Sequence, residues 1–205
     1  MIKALQSNRV LQGFIMWLIL VWIITAIKPL YPSDWLLENL LVFIWSAILV
    51  VSYRWFKFSN LSYGLFTVFL SLHLVGAHYT YAETPFGFWL QDLFDLERNH
   101  YDRIVHFSFG LLLAYPMREI LLRRSGVGSG WAYFLAINCI LAFSAVYEVL
   151  EVIAAMIVSP ELGNAYLGTQ GDEWDAQKDA FLALLGSIIA MGVTWALVRK
   201  RAGTS

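Results

Sequence analysis

A single cysteine, Cys139, rules out an internal disulfide and any cysteine-ligated metal cluster. Charge is scarce too: Asp, Glu, Lys and Arg make up 14% of the chain, where a soluble domain carries about a quarter. The signs nearly cancel, to a formal net charge of −1, so the distribution of charge carries more information than its sum. No catalytic signature is legible. There is no H-E-x-x-H, no Ser/His/Asp or Cys/His arrangement, and "GVGSG" (126–130) lacks the Lys-Ser/Thr and the preceding strand of a phosphate-binding loop. No solenoid-type repeat and no separate soluble domain stand out.

What fills the chain instead is apolar. Hydrophobic residues are 59% of the 205, and the mean hydropathy is +0.62. They gather in blocks of the length a helix needs to cross about 30 Å of hydrocarbon. The sequence therefore predicts an all-α, polytopic membrane protein of six transmembrane helices forming one domain over residues 1–205. The spans are expected at residues 10–27, 36–53, 61–81, 102–122, 131–158 and 180–198. Nine Trp and ten Tyr, many near block ends, suit membrane interfaces. "FGFWLQDLF" (86–94) reads as a short helix lying in the interface, and Pro116 as a kink in the fourth span. The first block meets Lys28-Pro29 rather than a small-x-small cleavage pattern, so it reads as a retained span.

Basic residues set the orientation. Lys3 and Arg9, then Arg54 and Lys57, then Arg118, Arg123 and Arg124, and finally Arg199, Lys200 and Arg201 all fall on one side, which places both termini in the cytoplasm. The opposite segments are acidic: Asp34 and Glu38; then Glu83, Asp92, Asp95 and Glu97; then Glu161, Asp172, Glu173 and Asp175. These basic residues are topological anchors, and nucleic-acid binding is not expected.

Orientation gives the polar residues a depth. His78 and Glu83 end the third span at its outer face, with His73 about 7 Å deeper. His100 and Asp102 open the fourth, with His106 one turn further in. Glu148 and Glu151 lie in the outer half of the fifth, and Asp175 and Asp179 open the sixth. Four helices thus carry acids and imidazoles to one level, the outer leaflet. The pairs Asp102/His106 and Asp175/Asp179 are i, i+4, and Glu148/Glu151 are i, i+3, so each pair shares a helix face.

Simpler readings apply to some of these. "NHYD" (99–102) and "DEWD" (172–175) fit a helix-capping pattern, which would account for Asp102, Asp172 and Asp175 individually. His73 reads as a hydrogen-bonding packing residue, and the acids of "LQDLFDLE" (90–97) as a solvated helix face. Glu148 and Glu151 resist such readings. They sit within an apolar span, toward the helix end where the dipole disfavours anions. One acid at membrane depth costs at least about 2.5 kcal/mol, and two on one face must share a proton or a cation.

"GAHYTYAETPFGFW", "RNHYDRIVHFSFG", "REILLRR", "YEVLE" and "GTQGDEWDAQKDA" resemble the YjdF-type family of bacterial inner-membrane proteins, over nearly the whole chain past the first span. The resemblance implies a small helical bundle in the bacterial cytoplasmic membrane and supplies no reaction. A weaker likeness is to VanZ-like membrane proteins. Their Asp-Lys-x-x-His-Phe, Tyr-Glu-x-x-Gln and Asp-x-x-x-Asn-x-x-Gly segments would correspond to 102–107, 147–151 and 179–186. Here Arg103 stands for Lys, Glu151 for Gln and Ala183 for Asn.

Three functions follow as expectations. The first is a non-catalytic accessory or lipid-binding membrane protein held together by a polar network, with membrane lipids as its partners. The second is an intramembrane site for a divalent metal (Zn, Mn, Mg or Fe) with Asp102, His106, Glu148, Glu151 and Asp179 as ligands. His78 and His100 would stand outside them, and Glu148, Glu151 or Asp175 would be catalytic in a hydrolase acting on a lipid or lipid-linked substrate. The third is a proton or cation translocator. The sequence does not fix the oligomeric state.

Overall fold

A computed structural model describes residues 8–203, apart from the side chains of Glu161 and Ala165. The basic anchor Lys3 and the acid group of Glu161 lie outside what it describes. Among the described residues all regular structure is helical. The elements are α1 (Arg9–Ala26), α2 (Pro32–Ser52), α3 (Asn60–Tyr79), α4 (Pro85–Phe94), α5 (Tyr101–Arg124), α6 (Ser129–Ile157), α7 (Pro160–Leu167) and α8 (Asp175–Ala202). Six of them, α1, α2, α3, α5, α6 and α8, are long and apolar enough to cross a membrane. Their lipid-suited character is visible on the surface: Trp17, Ile24, Ile48, Leu150 and Val193 are each more than half exposed. A water-facing protein does not carry apolar area on that scale, whereas hydrocarbon imposes no penalty on it.

The expected spans correspond to helices, with two differences that matter. Residue 32 is a proline at the first position of α2, where its missing N–H costs nothing, so α2 opens four residues before the apolar block does. Asp34 is therefore helical rather than part of an acidic loop, and it is buried together with Glu38, at 1% and 2% exposure. α8 opens at Asp175 rather than 180, which brings Asp175 and Asp179 into its first two turns. α4 is the short helix expected, with Phe86, Trp89, Leu93 and Phe94 exposed along it. α7 is an additional short helix, capped by the Ser159 hydroxyl on the Leu162 N–H at 3.3 Å. Pro116 lies inside α5, fully buried.

The chain forms two compact units. The first comprises residues 1–102 and 149–173, the second residues 103–148 and 174–205, so the boundary falls inside α5 and α6. In the first, α1 lies against α3. The Phe14 ring reaches within 3.1 Å of where a Gly64 Cβ would stand, and the Trp17 indole donates to the Ser71 hydroxyl at 3.1 Å. The Trp22 indole donates to the Asn39 side chain on α2 at 2.8 Å. The turns are tied at the acid-bearing end: the Leu30 N–H donates to the His78 carbonyl at 2.9 Å, and the Tyr31 hydroxyl to Glu83 at 2.9 Å. That hydrogen bond, with the Glu83 charge behind it, raises the Tyr31 phenol above its ordinary range.

Asn99 closes the same unit. Its side chain accepts from the Tyr101 N–H at 3.0 Å and donates to the Thr84 carbonyl at 3.0 Å. Gly87 makes room for it, since a Cβ there would stand 1.7 Å from Asn99 Oδ1. Gly87→Ala is expected to expel the Asn99 side chain and strand buried backbone groups. The expected cost is about 1–3 kcal/mol, measured as a lowered melting temperature in detergent. Gly128→Ala, with nothing within 4 Å of its Cβ position, serves as the control.

In the second unit α5 and α8 meet backbone to backbone. A Cβ on Gly110 would lie 1.9 Å from the Ala183 carbonyl oxygen, and one on Gly186 would lie 2.3 Å from that of Phe107. Small residues at such crossings are how membrane helices approach closely when no hydrophobic force drives them together. At the other end of this unit, the buried Arg118 guanidinium stacks on the Tyr133 ring at 4.0 Å.

Candidate functional site

The close α5–α8 crossing fixes the depth of the first polar group. His106, one turn before Gly110 on α5, is 8% exposed. Its Nε2 lies 3.4 Å from Glu148 Oε1 of α6, and its Nδ1 lies 3.4 Å from the Ser144 hydroxyl, one turn earlier on that helix. Asp179 of α8, 1% exposed, brings a carboxylate oxygen within 4.8 Å of the same imidazole. Tyr147 places its ring 6.3 Å from that of His106. An imidazole and two carboxylates from three helices thus converge within the second unit.

Asp175, one turn before Asp179, has a different environment. Arg103 Nη2 donates to its Oδ1 at 3.3 Å, and the carboxylate side chain is 7% exposed. It lies in the first turn of α8, where the helix dipole favours an acid, but it is not the capping residue. The residue before α8 is Trp174, and no side chain caps that helix. Asp172 pairs with Arg98 at 3.7 Å in the first unit. The signal that would have revealed these arginine partners is absent from local sequence, because each pair joins positions about 70 residues apart.

"GTQGD" is a clasp within the first unit. Gly168 and Gly171 have φ of 58° and 85°, a region that side chains disfavour, and so let the loop turn. Arg98 donates to the carbonyls of Thr169 at 2.8 Å and Gly168 at 3.3 Å. Gln170 and the Asn99 backbone exchange hydrogen bonds, at 3.1 and 2.9 Å. Much of the polarity that precedes the last span is therefore spent on holding the loop.

Asp102 and Glu151 also belong to the first unit, as do His78 and His100. His78 Nδ1–H donates to the Thr25 carbonyl at 2.9 Å and ties α3 to the end of α1. His100 stands half-buried in the segment before α5. This unit holds a second buried cluster that the sequence reading did not single out. His73, 1% exposed, donates from Nε2 to the Glu38 carbonyl at 3.0 Å, which leaves Nδ1 to accept from the Tyr81 hydroxyl at 2.5 Å. The Tyr81 ring packs on Gly76, where a Cβ would come within 2.7 Å of it. Burial pushes the Tyr81 phenol well above the usual tyrosine range, and the charges of Glu38 and Asp102, then Tyr101 and Glu151, add to that. The Glu38 carboxylate also lies 4.0 Å from His73 Nε2.

The fold and this distribution of buried acids define a polytopic helical membrane protein with ionisable groups inside its spans. The chain belongs to a family described as "Predicted membrane protein (DUF2238)", which it matches over residues 10–200. It is 40% identical over 172 residues to the inner membrane protein YjdF of Escherichia coli (strain K12), covering 83% of this chain and 82% of that protein. No solved structure matches it. The likeness to VanZ-like proteins stays one of three motifs.

Proposed function

We propose that this protein is a multi-pass protein of the bacterial inner membrane, with both termini cytoplasmic, that binds a divalent cation through His106, Glu148 and Asp179. The observation that carries the reading is the approach of the Asp179 carboxylate to the His106 imidazole within 4.8 Å, both residues buried. Glu148 lies 3.4 Å from the same ring. Anions held together at this depth repel, and a cation offsets both their repulsion and their desolvation. One imidazole among carboxylates suits Zn, Mn, Fe or Mg. Such an ion polarises a phosphoryl or acyl oxygen and activates water, which fits hydrolysis of a lipid or lipid-linked substrate. Glu148, beside the imidazole, is then the candidate base. Asp175 is engaged by Arg103 and serves to position α8 against α5.

A second reading, a purely structural network in an accessory or lipid-binding protein, is favoured by the Arg103–Asp175 pair, which neutralises an acid without any ion. Proton or cation translocation has no comparable support. In the second unit the buried hydroxyls of Ser187 and Thr194 donate back into their own helix, and Glu119 pairs with Arg123.

Elemental analysis separates the first two readings, on protein purified in detergent without chelators or a metal-binding tag. About one equivalent of a single divalent metal is expected in the wild type, with a loss of at least tenfold in His106→Ala and Asp179→Asn. Wild-type protein that is folded and metal-free would leave the structural network as the function of these residues.

A further inference from the structure

The first unit contains a cavity of about 350 Å³ that neither the acid–histidine clusters nor the proposed cation site uses. Its walls come from Leu11 and Leu18 on α1, Ser46 on α2, Tyr53 just past the end of α2, and Phe66 and Thr67 on α3, and they are almost wholly apolar. The volume is at the lower end of the range for small-ligand sites. Thr67 offers no free donor, since its hydroxyl donates to the Tyr63 carbonyl of its own helix at 2.8 Å. The lining is otherwise almost wholly apolar, so the chemistry that suits this space is hydrocarbon.

The rim at one end has the opposite character. Tyr53, which lines the cavity, carries the Lys57 ammonium over its ring at 5.4 Å, and Arg54 stacks over Trp55 at 5.4 Å beside it. Arg9 stands two residues before the lining Leu11. Asn8 and Asn60 hydrogen-bond across the start of α1 and α3 at 2.8 Å. The rim is thus polar with three cations, and no acid lies within residues 8–12 or 53–63. An apolar slot between three membrane-crossing helices, ending in a cluster of cations at the helix ends, matches a molecule with a hydrocarbon tail and an anionic head. Basic residues clustered at the end of spans are the ordinary recognition chemistry for anionic headgroups.

We infer that the groove between α1, α2 and α3 holds one acyl chain of an anionic phospholipid of the surrounding bilayer, with its headgroup phosphate against Arg9, Arg54 and Lys57. Retention of that lipid then depends on two separable features, the volume of the slot and the charge of its rim.

Native mass spectrometry of the whole protein tests this, with phosphatidylglycerol or phosphatidylcholine titrated into the detergent. Wild-type protein is expected to retain one phosphatidylglycerol at energies that strip further lipids, with at least fivefold preference over phosphatidylcholine. Ser46→Phe, which fills the slot, is expected to lose that retained lipid. Arg54→Gln/Lys57→Gln, confined to the rim, is expected to keep lipid binding and reduce the preference to less than twofold. Circular dichroism melting of each variant identifies any that has lost its fold, and the rim variant decides the matter if Ser46→Phe has. Equal retention of both lipids by wild type and the rim variant would overturn the inference. So would a protein dimer that Ser46→Phe dissociates, since the groove would then seat a second copy.

Discussion

Gly110→Ala and Gly186→Ala are each expected to leave little folded protein, and the leucine variants none. The added Cβ at either position would meet backbone: the Ala183 carbonyl oxygen at 1.9 Å in one case and the Phe107 carbonyl oxygen at 2.3 Å in the other. A flexible side chain can swing away from such a clash, but a helix backbone can only translate. Moving α8 off α5 would also separate Asp179 from His106 and Asp175 from Arg103. Overpacking a well-filled core costs about 1–3 kcal/mol, and a clash with backbone belongs at or beyond the top of that range. Gly192→Ala on the same helix is the counter-test, because nothing lies within 4 Å of its Cβ position. It should raise stability by up to about 1 kcal/mol through helix propensity. Thermal unfolding in detergent, read by circular dichroism, compares all three alanine variants. Gly110→Ala melting at the wild-type temperature would contradict the close crossing.

Arg103→Ala should be the second large loss. Its guanidinium donates to Asp175 with the two side chains 17% and 7% exposed. Removing one partner of a buried pair leaves a charge in a poor solvent, at a cost of about 3–5 kcal/mol when burial is complete. The partial exposure of Arg103 lowers the expectation to about 2–3 kcal/mol. Asp175→Asn alone should be milder, since arginine can extend toward polar surroundings. In the double variant Arg103→Ala/Asp175→Asn stability should recover to near that of Asp175→Asn. Chemical unfolding of the four proteins closes the cycle, and additive losses would show that the pair contributes nothing beyond its separate members. The same variants bear on the cation site. Asp175 variants should keep bound metal if its role is to position α8, and lose it if it is a ligand.

The two readings of the acidic residues differ in how far each could be seen in the sequence. Glu148 stood out because an acid inside an apolar run has a cost that local context does not offset. Asp175 and Asp172 read equally well as caps, and what they do depends on Arg103 and Arg98, far away in the chain. Asp34 looked like a loop acid because hydropathy marks where apolar residues begin, not where a helix begins. Pro32 at the first helical position starts α2 earlier and brings Asp34 onto the same buried helix as Glu38. Tyr81 gave no signal at all. Its hydroxyl finds His73 only because Thr80 and Tyr81 turn through left-handed backbone, at φ of 55° and 38°, after α3 ends.

By itself the sequence determined the class of the molecule. Six apolar blocks and the alternation of basic and acidic segments suffice, because a lipid solvent forces every spanning segment to satisfy its own backbone as a helix. It also determined the rotational phase of each polar pair, since spacing along a helix fixes the face. The tertiary structure decided which faces meet. Glycine at 110 and 186 lets two backbones touch, which sets the depth at which His106 and Asp179 come together. The apolar slot beside Tyr53 likewise exists only because three helices leave it between them. Neither feature has a local cause, because contact between distant faces is a property of packing, and a bilayer that suits every apolar face equally gives hydropathy no means of choosing among them.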